Sequence, residues 1–289
     1  MNFQKFKKHF IMELEAIIAE KYPDYALEVM KVEKIGITKT GIMLKQKDKV
    51  QDGHYNVYYI ENIFNEFKGE KKDVRAYAEE FIPWFFKQDF YNDLDFSKIT
   101  NKDFLLNNLY LQVVNYDLSK NLLKTVPHRR FLDLAIVYRS LIKNDTKNSR
   151  LISCLITNNA IESFKLTEED LYMKAMTNTD KILMPRVIDN ILTGIGDNYG
   201  SSFLVSKNIL KVYKENLVIV PINTDRLFVM PIRLVKDLKG LKEEISEMAT
   251  KELHSKDEDS LATFMSTNLY FYNYADDTVA ILDVFDPNN

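Results

Sequence analysis

His128, Arg129 and Arg130, with Asp133 close behind, form the densest polar cluster beside an apolar run in the chain. An imidazole moves protons near neutral pH, and two guanidinium groups can hold a phosphate or carboxylate. That set would suit a hydrolase or a phosphate-handling enzyme. The competing reading is structural, with the imidazole capping a strand entrance and Asp133 pairing with an arginine at the rim. No second histidine lies nearby in sequence, so the structural reading is the stronger.

The other chemistry-bearing residues point away from catalysis. Residues 194–200 have the glycine density of a phosphate loop, but the dinucleotide fingerprint needs a strand before it and a helix directly after it. Here the pattern predicts a strand next, so the stretch reads as a turn and no cofactor is expected. The four histidines, His9, His54, His128 and His254, are scattered without metal-ligand spacing, and no metal is expected. The acidic groups at 168–170 and 257–259 sit at helix starts or in polar connections, and Asp276-Asp277 reads as a turn pair. Cys154 is the single cysteine and lies in an apolar strand pattern with no basic neighbour in sequence. It reads as a buried, inert thiol in a reducing cytoplasm.

Aromatic residues alternate along two stretches. Tyr55 and Tyr59 flank Val57, and Tyr270, Tyr272 and Tyr274 follow the strand period. Such faces can stack single-stranded bases when lysines and arginines share them. Around Tyr270–Tyr274 the charge is acidic, so core packing or a protein-binding edge strand is the better reading.

These residues need a scaffold, and composition allows one. The 289 residues are 46% hydrophobic with net charge −3 and interleaved signs, which predicts a sizeable core and disfavours a dedicated polyanion binder. No window approaches the roughly 18 uncharged apolar residues of a membrane span, and residues 1–10 lack the apolar core of a signal peptide.

Periodicity predicts an α+β fold. Residues 1–95 read as a lobe of helix (2–20), three-strand meander (26–33, 42–47, 55–60) and helix (72–82), with glycines at the strand breaks and Pro83 interrupting the last helix. Residues 96–289 read as a second lobe with a mixed sheet. Its expected parts are helices at 102–116, 119–124, 167–178 and 237–253, and strands at 131–142, 150–157, 217–222 and 227–232. A hairpin is expected across 269–282. Within it, 153–164 and 202–213 look like two copies of one strand-helix unit at a constant offset, and Leu155, Ile156, Leu204 and Val205 should be buried.

Residues 126–138, residues 155–158 ahead of the helix with Ala175 and Asn178, and residues 217–221 carry a family likeness. On them the chain resembles an uncharacterised bacterial family of unknown function, and more distantly the YtpQ-like family. The likeness spans most of the chain. That family pattern follows Pro221 with a Ser-Ser pair and then a His-Glu pair, where this chain has Ile222-Asn223 and Asp225-Arg226. The resemblance implies a fold and no activity. The function expected from the residues is a non-enzymatic cytoplasmic module that binds a macromolecule, with another protein as partner. The enzyme built on His128, Arg129, Arg130 and Asp133 is the alternative, and nucleic-acid binding comes third.

Overall fold

The computed structural model describes residues 1–47, 56–70, 72–86, 96–145, 150–194, 199–254 and 258–282. The expectations placed on Asp52-Gly53, His54, Tyr55, residues 195–198 and Asp257 lie outside the described residues. The chain forms two compact units, residues 1–34 with 38–93, and residues 35–37 with 94–289. The α+β class is what the periodicity predicts.

In the first unit, helix α1 (Phe3–Lys21) starts where the Asn2 side chain accepts the Lys5 amide, and buries Phe6, Phe10, Leu14, Ile17 and Ile18. Strands β1 (Tyr25–Glu33) and β2 (Thr38–Gln46) pair antiparallel, and β3 (Tyr58–Tyr59) adds to β2. Gly41 is therefore not a break but lies inside β2, opposite Tyr59. A Cβ there would stand 2.8 Å from Val57 Cγ1 and 2.9 Å from Val32 Cγ2, so the bare backbone is what lets Val57 close over the strand.

The third strand is shorter than expected, because Ile60, Ile63 and Phe64 recur at helical spacing and open α2 (Ile60–Phe67). Helix α3 (Val74–Phe86) runs through Pro83 instead of stopping there. Phe81, Ile82 and Phe85 around the proline are all buried, and their packing holds the turn despite the missing N–H.

The second unit opens with α4 (Lys102–Asn107), β4 (Leu109–Asn115) and α5 (Lys120–Leu123). One helix was expected over 102–116, but Leu109–Val114 are buried without a break and pair along their length with β6. A run covered on both faces fits a central strand better than an amphipathic helix. Next come β5 (His128–Phe131), β6 (Leu134–Asp145), β7 (Arg150–Leu155), α6 (Asn158–Phe164), α7 (Glu168–Leu183), β8 (Arg186–Ile188) and β9 (Ile191–Thr193). A buried 3-10 turn, Gly200–Leu204, leads to α8 (Lys207–Lys211), β10 (Leu217–Asn223) and β11 (Arg226–Pro231). The chain continues through α9 (Leu238–Leu253), α10 (Glu258–Thr263), β12 (Tyr270–Asn273) and β13 (Thr278–Ile281).

Strand β6 is flanked by β4 and β5 and also pairs with β7, while a second sheet runs β13-β12-β10-β11-β9-β8. Every strand pair among the described residues is antiparallel, where a mixed sheet was expected. Consecutive strands such as β5–β6, β8–β9, β10–β11 and β12–β13 are joined by hairpins, which reverse direction, and no helical crossover returns a parallel neighbour. The repeat also breaks. Its first copy is β7 and α6, capped by Thr157 on the Ala160 amide. The second has no strand and no side-chain cap. Tyr199 takes a positive φ of 54°, and the Gly200 amide donates to Asp225 O at 2.8 Å. A Cβ on Gly200 would lie 2.2 Å from that oxygen, so the segment is folded against the β10–β11 turn as a 3-10 coil. Ile156, Leu204 and Val205 are buried as expected, while Leu155 is half-buried.

Candidate functional site

The polar cluster of the second unit is close in sequence but not in its engagements. A single strand was expected over 131–142, yet the chain turns at Leu132-Asp133, where Leu132 has φ 56°, and β5 folds back on β6 from Phe131–Leu134 to His128–Val137. His128 is half-buried, with Nδ1 3.1 Å from Val126 O. Arg129 points to α7, where Nε and Nη2 donate to the two oxygens of Glu168 at 3.1 and 2.7 Å and Nη2 also reaches Glu169. Its guanidinium lies 3.8 Å over the Tyr172 ring. Glu168 accepts from the Tyr138 hydroxyl as well, and burial together with that carboxylate pushes the phenol well up. Arg130 takes the other side of the strand, stacking 3.6 Å over Tyr116 and donating from Nε to Leu132 O at 2.7 Å.

Asp133 pairs with no arginine, contrary to expectation. Its carboxylate accepts from Ser266 Oγ, from Asn268 Nδ2 at 3.1 Å and from Tyr270 OH at 2.9 Å, pinning the hairpin turn to the segment before β12. Burial and that carboxylate raise the Tyr270 phenol. Four neighbours in sequence thus serve four separate sets of contacts. Cys154 is half-buried and burial pushes its thiol up, with Arg139 across the β6–β7 pairing acting the other way. Tyr270 and Tyr272 are fully buried and pack the core, while Tyr274, just past the end of β12, is exposed.

The first unit holds a cleft of about 500 Å³ that the sequence did not single out. Two helical stripes face it. Asn62, Ile63 and Glu66 run along α2 and continue the line of Tyr59, which precedes its first turn, and Tyr77, Glu80, Phe81 and Trp84 run along α3, each set at the spacing of one helix face. Val57 and Tyr58 complete the wall. The buried sides of the two helices set this orientation, since Ile60, Ile63 and Phe64 on one and Ala78, Phe81, Ile82 and Phe85 on the other share a core.

Tyr58 donates its hydroxyl to Trp84 O, which ties β3 to the end of α3. Trp84 is the chain's single tryptophan and is 49% exposed. Tyr77 is half-buried, and its phenol is pushed up to about 12, first by burial and then by the carboxylates of Glu66, Glu70 and Glu80. Glu80 takes Lys72 Nζ at 2.7 Å. Tyr59 already receives cations, with Lys34 Nζ at 4.9 Å and Lys39 Nζ at 5.8 Å from its ring centre. Lys39 also donates to Asn62 Oδ1 at 2.9 Å. Among the described residues, no group of three or more His, Cys, Asp or Glu is arranged to hold a metal ion.

A model described as a family of unknown function (DUF5688) matches residues 3–200, and the chain belongs to that family. The match takes in the cleft and the His128–Asp133 hairpin, while β10 to β13 lie beyond it. No curated protein and no solved structure matches the chain, and no link to the YtpQ-like family is shown.

Proposed function

We propose that the chain is a non-enzymatic protein-interaction module, with the aromatic cleft of its first unit as the seat for a side chain of the partner. The observation that carries this reading is Trp84, a large ring left 49% exposed at a cleft of about 500 Å³ lined by three tyrosines. Tryptophan and tyrosine bury much area at little entropic cost, and they dominate interface energies. The volume is within the range of sites that enclose a compact group. The enzyme alternative has less support, because Arg129 is held by Glu168 and Glu169, Arg130 by Tyr116, and Asp133 by Ser266, Asn268 and Tyr270. Each would have to leave its partners to meet a substrate. Nucleic-acid binding has less still, since among the described residues no lysine or arginine lines the cleft, and Lys34, Lys39 and Lys72 beside it are taken up by Tyr59, Asn62 and Glu80. The reading keeps the bacterial cytoplasm as its setting, where a lone thiol such as Cys154 stays reduced.

A photoreactive residue placed at position 62, exposed on the cleft stripe of α2, tests the reading in cells that make the protein. Position 173 on α7, where Met173 is 60% exposed, serves as control. Irradiation should give one discrete protein adduct from position 62 and none from 173, and Trp84→Ala should abolish it. Matching patterns from both positions, or no protein adduct from 62, would overturn the proposal.

A further inference from the structure

The second unit holds a positive charge without a counter-charge. Arg139 is half-buried on β6, and among the described residues no carboxylate pairs with it. Its three hydrogen bonds all go to neutral oxygens. Nε donates to Ser153 Oγ at 2.9 Å, Nη2 to Ser153 O at 3.1 Å and Nη1 to Gln112 Oε1 at 3.4 Å. A guanidinium has five N–H groups, so one is left over on each of Nη1 and Nη2. Tyr110, opposite Arg139 in the β4–β6 pairing, shares Ser153 with it, the two hydroxyl oxygens lying 3.0 Å apart. Two hydroxyl hydrogens meet there and one lies between the oxygens, so the other has no acceptor among the described residues. Tyr199 leans over the group, its ring centre 5.6 Å from that of Tyr110 and 5.5 Å from the guanidinium carbon. Its hydroxyl and the Gln112 amide nitrogen also donate to nothing among the described residues. Tyr110 and Gln112 form a buried floor at 0% and 2% exposure, while Arg139, Ser153 and Tyr199 are half-buried and meet solvent.

We propose that this cluster is a second binding site, independent of the aromatic cleft, and that the group it takes is a carboxylate. Spare donors around an uncompensated charge are matched by an anion, and neutral acceptors leave the charge unpaired. The two unspent N–H groups sit on different nitrogens of one planar fork, which a carboxylate meets with its two oxygens. Tyr199 and the spare hydrogen of the Tyr110–Ser153 pair add donors, and hydrogen bonds to a charged group are the stronger kind. One guanidinium balances one negative charge, so doubly charged phosphate is the poorer match. The Asp225 carboxylate accepts the Tyr199 amide at 3.4 Å and forms no ion pair with Arg139. A small organic acid and an acidic side chain of a partner present the same two oxygens.

Magnetic resonance of the whole nitrogen-15-labelled protein reads the site through the backbone amide of Ser153 and the side-chain N–H of Arg139. The probes are sodium acetate, N-acetyl-aspartate methylamide, sodium phosphate and sodium chloride, titrated at matched ionic strength. Acetate should shift both signals saturably, and chloride should leave them in place. A saturable shift from the aspartate probe as well assigns the site to a partner's acidic side chain, and its absence assigns it to a free small acid. Arg139→Lys keeps the charge and loses the fork, and should weaken acetate about tenfold, read from Ser153. Tyr199→Phe removes one unspent hydroxyl and should weaken acetate by a similar factor of about ten, the scale of one hydrogen bond to a charged group. Spectra of both variants should match the parent away from the site, and if Arg139→Lys does not fold, Tyr199→Phe decides alone. No saturable shift from acetate, or an equal one from chloride, would overturn the site. Phosphate binding more tightly than acetate overturns the carboxylate assignment, as does full affinity in the folded variants.

Discussion

Asp133→Ala is expected to be the most damaging change in the polar cluster, although His128 is the residue whose chemistry attracts the eye. The Asp133 carboxylate accepts three hydrogen bonds, and two of the donors are buried, Ser266 at 4% exposure and Tyr270 at 0%. Bonds to a charged acceptor are worth about 1.5–3 kcal/mol each, and an orphaned buried hydroxyl costs about 1–3 kcal/mol. Water can rescue Asn268 at the half-open turn but cannot easily reach Tyr270, so the expected loss is about 3–5 kcal/mol. Among the described residues the His128 ring makes one hydrogen bond, with a carbonyl two residues away, and His128→Ala should cost at most about 1 kcal/mol. Leu134, fully buried beside Asp133, sets the scale, and Leu134→Ala should cost about 2–5 kcal/mol by leaving a cavity. Urea unfolding followed by far-ultraviolet circular dichroism gives the midpoints; Trp84 lies in the first unit and is the wrong reporter for this hairpin. A loss within about 1 kcal/mol for Asp133→Ala would refute the pinning argument. If His128→Ala proved worse than Leu134→Ala, the imidazole would belong to a buried network, and the enzyme reading would move ahead.

Gly41→Ala should lower the unfolding free energy obtained from urea titration of Trp84 emission by about 1–3 kcal/mol, because the new methyl meets Val57 and Val32 at under 3 Å. An unchanged midpoint would mean that Val57 does not close on the strand. Tyr77 has its phenol raised to about 12, so its neutral form is favoured in the fold. Its contribution is whole below the unfolded tyrosine value of about 10 and is lost as pH rises through about 12. Stability should therefore fall less steeply across that alkaline window in Tyr77→Phe than in the parent, and parallel curves would contradict the assignment. Burial disfavours the Cys154 thiolate, so a thiol reagent should label the native protein slowly and the urea-unfolded protein at once. Fast native labelling would show an accessible thiolate.

Elements with unambiguous periods were legible in advance. Helix α1 shows Phe6, Phe10, Leu14 and Ile17 on one face, and the capping box of Thr167 and Asp170 marks the start of α7 as expected. The same holds for β10, β11, α9 with its Asp237 cap, and the β12–β13 hairpin. The failures share a cause. Leu109, Val113 and Val114 fit helical spacing, yet they are also part of an apolar run that a central strand would show. Periodicity cannot separate the two when every position is buried. In 202–205 the apolar residues imitate a strand, but the positive φ of Tyr199 and the close approach of Gly200 to Asp225 O are tertiary facts.

The same geometry explains why the eye fell on one group of residues and the cleft formed from another. Side chains of consecutive residues in a strand leave on opposite faces, so placing His128, Arg129 and Arg130 in β5 sends Arg129 to α7 and Arg130 to Tyr116. Adjacency in sequence is then a reason for dispersal. A helix does the reverse, gathering residues three and four apart onto one side. Tyr59, Asn62, Ile63 and Glu66 share that spacing with Tyr77, Glu80, Phe81 and Trp84, and each set mixes rings with an acid. Either stripe alone reads as the edge of a core face, as Phe81 and Ile63 indeed are. It becomes a candidate site only because the buried sides of α2 and α3 share one core, which turns both acidic-aromatic edges toward the same space.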